Sequence, residues 1–220
     1  MVDEMSEDTR QRVMLAAIDL FSRKGFTAVG IRELASRAGV QTATLYNYMT
    51  GKEDLLVEIM RSVMDPLSKA AREALETHSD PCERLVALVE MHVWVHGGRR
   101  RSTLVSDTEV RSLSEAARKE VSILRDDYEA LWRSVVTQGV ESKVFDVGNV
   151  PITTAGLLTL ATGVAHWYRL DGPMHLPELC ALQADLALGL VRARGLTGPM
   201  RRTDVSVGAP REVLPPHPSL

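Results

Sequence analysis

Cysteine is nearly missing from this 220-residue chain. Cys82 and Cys180 stand far apart, with no CxxC. A disulfide framework and a thiolate metal knot are excluded, and both residues read as buried apolar thiols. No apolar run reaches the length of a membrane span, so no membrane partner is expected. The N-terminus, MVDEMSEDTRQR, is acidic and polar rather than a secretory signal, which points to a cytoplasmic protein. There is no GxSxG, no phosphate-binding loop and no Rossmann glycine pattern, so neither catalysis nor a cofactor is expected. His92 and His96 share a helix face, but two imidazoles without a further ligand make no metal site. Basic charge is not in excess either. The formal net charge is −3, so any nucleic-acid binding must come from a local patch, with Arg10, Arg12, Arg32, Arg37 and Lys52 as its candidates.

What is present is helical periodicity, and the stretch from Gly25 to Leu56 organises the rest. Ile31, Leu34 and Ala35 fall on one face of a short helix that Gly39 ends, glycine being the residue that takes the left-handed position after a helix. Glu33 stands where an N3 carboxylate helps to cap that helix behind Gly30. A second helix follows over Thr42 to Tyr48, anchored by Leu45. Helix, glycine turn and helix form a helix-turn-helix, whose second helix fits the major groove. Thr42, Ala43, Thr44 and Asn47 are the base-edge candidates: asparagine can pair with adenine, and the methyls can meet a thymine methyl. Tyr46 and Tyr48 are phosphate candidates, Arg32 is a base or phosphate candidate, and Lys52 at the next helix start is a phosphate candidate.

This pattern resembles the TetR family of bacterial one-component repressors. The matching residues include Ala16, Ala17, Leu20, Phe21, Gly25, Phe26, Ile31, Leu34, Ala35, Ala38, Gly39, Val40, Leu45, Tyr46, Tyr48, Lys52, Glu53 and Leu55. Three positions depart from it. Gly30 and Gln41 replace capping Thr or Ser residues, and Met49-Thr50 replaces Phe-Pro.

Along the chain, residues 1 to 7 read as a frayed leader and helix 1 as Glu7 to Lys24. Helix 4 begins at Gly51-Lys52-Glu53 and should break or kink at Asp65-Pro66. Asp80-Pro81 opens helix 5, which Gly97-Gly98 stops. Helix 6 spans about Arg99 to Asp107, and Ser112 or Ser114 opens helix 7, which ends near Gly139. Pro151 begins an eighth helix, apolar almost all round, which His166-Trp167-Tyr168-Arg169 closes. A ninth runs from Pro177 to Arg194, with Leu179, Leu182, Gln183, Leu186 and Leu190 on one stripe and Gly195 as its stop. The tail after Leu196, rich in glycine and proline, reads as disordered.

The fold class is therefore all-α, with about nine helices. A helix-turn-helix DNA-binding domain over 7–53 precedes a helical ligand-binding and dimerisation domain over 54–195 and a tail over 196–220. A mainly apolar body pocket is drawn from Met91, His92, Val95, Leu104, Leu124, Tyr128, Trp132, Thr162, His166 and Trp167. The body from His92 to GVAHWYRLDGPM is similar to a TetR branch that controls lipid or steroid catabolism. That resemblance implies an acyl-CoA effector, with Arg99, Arg100 and Arg101 attracting its phosphates. It also implies a homodimer through the last two helices, bound to palindromic double-stranded operator DNA and released by a small hydrophobic ligand. Two readings stay open beside it: a DNA-binding protein whose body meets a partner protein, and an enzyme or carrier that uses the apolar body.

Overall fold

The computed structural model describes residues 2–195 and 198–210, with side chains from Asp8 onward. It is all-α apart from a two-strand ribbon, and divides into two compact units. The first unit comprises the residues up to Val63 together with Arg101–Ile123; the second comprises Met64–Arg100 together with the residues from Leu124 on.

In the first unit, α1 (Val2–Lys24) already begins at the acidic leader, which reads as helix rather than frayed chain. α2 (Ile31–Ala38) ends as expected on Gly39, whose φ of 67° is left-handed. Its start has no side-chain cap: Gly30 supplies no acceptor, and Glu33 pairs with Lys24 instead. α3 is shorter than expected, Thr42–Leu45. Gln41 gives it no side-chain cap, and Asn47 and Tyr48 donate to the carbonyls three residues back, so the segment tightens into a turn. α4 (Lys52–Thr77), α6 (Arg100–Thr108) and α7 (Glu115–Glu141) bring their head-side residues to the same core. Phe21 meets Phe26 edge to face at 5.3 Å, and Leu34, Leu45 and Leu56 are fully buried among them.

α4 is not broken at Pro66. One proline removes one backbone bond, and Val63, Met64, Leu67, Ala70 and Ala71, all buried along the same stretch, hold the helix through it. The boundary between the two units falls beside it, after Val63.

In the second unit, α5 (Pro81–Gly98) is the central helix, with α8 (Val150–Thr162), α9 (Val164–Trp167) and α10 (Leu176–Leu190) packed on it. Asp80 caps α5 by accepting from the N–H groups of Cys82 and Glu83. Gly97 does not stop α5: a Cβ there would lie 2.5 Å from Leu176 Cδ1, so the glycine admits the start of α10. α7 likewise runs past Gly139, where the ring of Phe145 occupies the space of a Cβ. The chain turns instead at Lys143, with φ 62°. The expected eighth helix is two, because the chain tightens at Gly163, where a Cβ would meet the Thr159 carbonyl at 3.1 Å. α10 ends at Leu190, with the turn at Arg192 (φ 49°) rather than Gly195. Leu179 and Gln183 face the core, whereas Leu182, Leu186 and Leu190 face outward, so the expected single stripe is two.

The tail expected to be disordered is in part structured. β1 (Arg194–Gly195) pairs antiparallel with β2 (Gly198–Pro199), and residues 200–210 continue across the second unit. Buried Val205 and the side chain of Arg202 hold this stretch, which composition does not reveal. Leu196, Thr197 and residues 211–220, also part of that expectation, lie outside the described residues.

Candidate nucleic-acid interface and body cluster

Three local devices set the geometry of the helix-turn-helix. Lys52 donates to the carbonyls of Phe26 (2.6 Å) and Val29 (2.8 Å) and lies 4.2 Å from the centre of the Phe26 ring. It closes the loop between α1 and α2, and burial lowers its ammonium pKa from the usual value. Asp54 reaches back from the third position of α4 to accept from Thr50 N–H and Thr50 Oγ1, both at 2.7 Å, and from Gly51 N–H at 3.3 Å. The Thr50 hydroxyl holds its carboxyl below the usual range. Thr50 thus supports the cap, while Met49 is buried at the neighbouring position. Thirdly, Asp19 is a buried carboxylate on α1 that accepts from Arg23 (2.9 Å), Arg37 of α2 (3.0 Å) and Arg101 of α6 (3.1 Å).

These devices redistribute the basic patch. Arg10 pairs with Glu58, Arg12 with Asp8 and Arg37 with Asp19, and Lys52 points into the unit. Arg32 differs: it is exposed at the start of α2, with no acidic partner among the described residues. Tyr46, Ala43 and Asn47 are exposed, Tyr46 by 56%, and Thr42, Thr44 and Tyr48 are half-buried. Among the described residues, the side-chain polar groups of Arg32, Thr42, Thr44, Tyr46, Asn47 and Tyr48 make no hydrogen bond within the chain. Leu45 alone of α3 is buried, which fixes the segment with these groups outward.

The body candidates do not form one place. His92, Tyr128, Trp132 and Thr162 come together. His92 Nδ1 lies 3.0 Å from Tyr128 Oη, and its Nε2 lies 3.0 Å from Thr162 Oγ1. The His96 ring stacks on His92 at 3.9 Å, and the Trp132 ring meets His92 edge to face. Burial first, and then the neighbouring His96, hold the His92 pKa well below its usual value. Burial raises the Tyr128 phenol. The cluster is a hydrogen-bonded network, and the rings of Tyr128 and Trp132 meet edge to face within it. Both ring nitrogens of His92 are committed, and no three His, Cys, Asp or Glu side chains among the described residues are grouped to hold a metal.

The other candidates are dispersed. Val95 is buried and Leu124 half-buried. Met91 lines a cleft of about 310 Å³ beside the cluster. His166 and Trp167 are exposed. Leu104 belongs to the first unit. The arginine run is divided. Arg99 is partly desolvated, which lowers its pKa. Arg100 donates to the carbonyls of Ala165 and His166 at the end of α9, and Arg101 binds Asp19. Glu90 and Arg202, an ion pair in the body, escaped the sequence reading; the signal was a lone acid in the apolar run LVALVEMHVWV.

Comparison with known proteins places both units. The tetR-family model of bacterial regulatory proteins matches residues 13–59, and the tetracyclin repressor-like C-terminal domain matches residues 78–191. The crystal structure of PfmR, a TetR family transcriptional regulator from Thermus thermophilus, is 30% identical, with a TM-score of 0.74, over 83% of this chain and 98% of that one. The transcriptional repressor KstR2 of Mycobacterium tuberculosis is 22% identical, over 85% of this chain and 94% of its own. AibR, solved in complex with isovaleryl coenzyme A and operator DNA, shares the fold with a TM-score of 0.72 at 18% identity, over 81% of this chain and 97% of its own. No helix among the described residues is long and apolar enough to cross a membrane. With a helix-turn-helix whose outward polar groups are unengaged, and with the C-terminal domain match alone covering half its length, the chain belongs to the tetR family of bacterial regulatory proteins.

Proposed function

We propose that the protein is a cytoplasmic, dimeric transcriptional repressor that leaves a palindromic operator when a small hydrophobic effector enters its body. The observation that carries this reading is the outward set Arg32, Thr42, Thr44, Tyr46, Asn47 and Tyr48, whose donors and acceptors are unengaged among the described residues. Thr42, Ala43, Thr44 and Asn47 read base edges, and Arg32, Tyr46 and Tyr48 grip phosphates. Lys52 positions the loop that presents them. The dimer forms through α8 and α10, whose exposed apolar side chains are the natural partner face.

The effector proposed is an acyl-CoA thioester. AibR was solved with isovaleryl coenzyme A, so the class is represented among the fold's relatives. The buried aromatic rings of Tyr128 and Trp132 suit the acyl chain. Effector binding favours a conformer with lower operator affinity, and linkage requires the operator to weaken effector binding by the same factor.

The test joins two measurements. Selection from random duplexes should return a palindrome with half-sites about one helical turn apart. A thermal-shift panel of acyl-CoAs, free fatty acids and steroids should then find a stabilising compound, worth about 2.7 kcal/mol at a hundredfold excess over its Kd. The same compound should release the selected duplex. Failure to select any palindrome sinks the repressor reading. A steroid that stabilises and releases where no thioester does replaces the effector class.

A further inference from the structure

The segment after α10 carries a feature that neither the family match nor the repressor reading uses. The match to the family's C-terminal domain ends at residue 191, whereas the described chain continues to Pro210. This continuation is fastened to the body mainly through Arg202. Its guanidinium takes both oxygens of Glu90, through Nε and NH2, and donates to the carbonyls of Val205 and Val207; its backbone N–H donates to Asp185 at 2.6 Å. Glu90 lies on α5 with 3% exposure, and no other hydrogen bond or ion pair of its carboxylate is found among the described residues. Apolar burial adds little, since Val205 is the one buried side chain between residues 198 and 210. Beside this attachment lies the cleft of about 310 Å³. One wall is α4 and α5, with Ala70, Ala74, Ala87 and Met91; the facing wall is the segment itself, from Val207 to Pro210.

We propose that residues 198–210 form a detachable strap whose main catch is the side chain of Arg202 on Glu90, backed by the Arg202 N–H on Asp185, and whose release opens the cleft beside it. A segment held by hydrophobic area leaves only when the core loosens. A segment held chiefly through one arginine, with only a few backbone hydrogen bonds beside it, can leave while the helices stay packed, because its few apolar contacts contribute little alone. The buried carboxylate sets the specificity of the catch. Glu90 without Arg202 is an uncompensated charge in the helix core, which keeps the strap closed at rest. The strap thereby controls what reaches Met91 and Ala87, and this access is independent of how the operator is read.

The experiment uses the full-length protein with Ala87→Cys as a reporter in the cleft. The native thiols are a quiet background, since burial raises both Cys82 and Cys180 to about 12. N-ethylmaleimide labelling is followed by mass spectrometry in the reporter alone and with Arg202→Met plus Glu90→Gln, the second change removing the stranded charge that could unfold the body. Hydrogen exchange of the strap, α5 and α10 is followed in parallel. The expected result is labelling at least tenfold faster in the paired variant, with fast exchange confined to the strap. Labelling and exchange unchanged from the parent would show that the catch does not hold the strap. Strap and α10 losing protection together would show an integral part of the core. Either result overturns the proposal.

Discussion

Lys52 and Arg32 carry the same charge in the same unit and do opposite work. Lys52 gives two of its three N–H groups to the carbonyls of Phe26 and Val29, and its ammonium is partly desolvated against the Phe26 ring. Arg32 points to solvent at the start of α2. Lys52→Met should therefore act on stability. Losing charged hydrogen bonds to two loop carbonyls costs about 1.5–3 kcal/mol, read as a lower urea midpoint at an unchanged slope. Operator affinity of the folded fraction should keep its salt dependence. Arg32→Ala should leave the urea midpoint within about 0.5 kcal/mol of the parent. In anisotropy titrations over a salt series it should lower the slope of log K against log salt by about one. A reduced slope for Lys52→Met at full stability would return that residue to the phosphate contacts. The sequence could list both residues as basic, but only the packed loop decides which one is free to meet DNA.

At the scale of elements, the helix-turn-helix was legible because its signals are local. Gly39 takes the left-handed position, Leu45 is the one buried anchor of α3, and Asp80-Pro81 is a cap whose partners lie within three residues. The errors share a cause that is not local. Glycine both ends helices and lets another element come close, and sequence does not separate the two uses. Gly97 and Gly139 lie inside helices against Leu176 and Phe145, while the turns fall on Lys143 and Arg192. In α10 leucines lie on both faces, so the single stripe read from the sequence mixed core with surface, and the proline-rich tail hid the reach of Arg202 to Glu90. A paired prediction separates the two glycine uses at the end of α7. Gly139→Ala would drive a Cβ into the ring of Phe145, an overpacking that costs about 1–3 kcal/mol. Lys143→Gly should instead stabilise by about 1 kcal/mol, because a left-handed residue with a Cβ gives way to one without that penalty. Differential scanning calorimetry of the two variants should show melting temperatures moved in opposite directions. A destabilised Lys143→Gly would mean that unfolded-state entropy outweighs the left-handed strain.

At the scale of the whole molecule, the decisive surface is the outer side of α8 and α10. Ile152 is 72% exposed and Leu186 56%, with Leu182 and Leu190 exposed beside Leu186 at helical spacing. Leu190 lies against Gly156, so the two helices present these side chains as neighbours. A large apolar patch on a chain with 25% charged residues calls for a partner, and a two-fold axis supplies one by setting the patch against itself. Any substitution there enters the interface twice. Leu186→Glu should leave the body folded, since its side chain takes no part in the core, and helicity and urea slope should match the parent. Sedimentation should report a monomer at micromolar concentration. Operator affinity should fall by about 10²–10⁴, because the second half-site then binds as a separate molecule rather than at the effective concentration the dimer provides. Affinity for an isolated half-site should not change. That contrast distinguishes a lost dimer from a damaged DNA-reading face. If Leu186→Glu stays dimeric and binds the full operator as the parent does, the two-fold contact lies elsewhere, and the exposed leucines of α10 belong to a different partner.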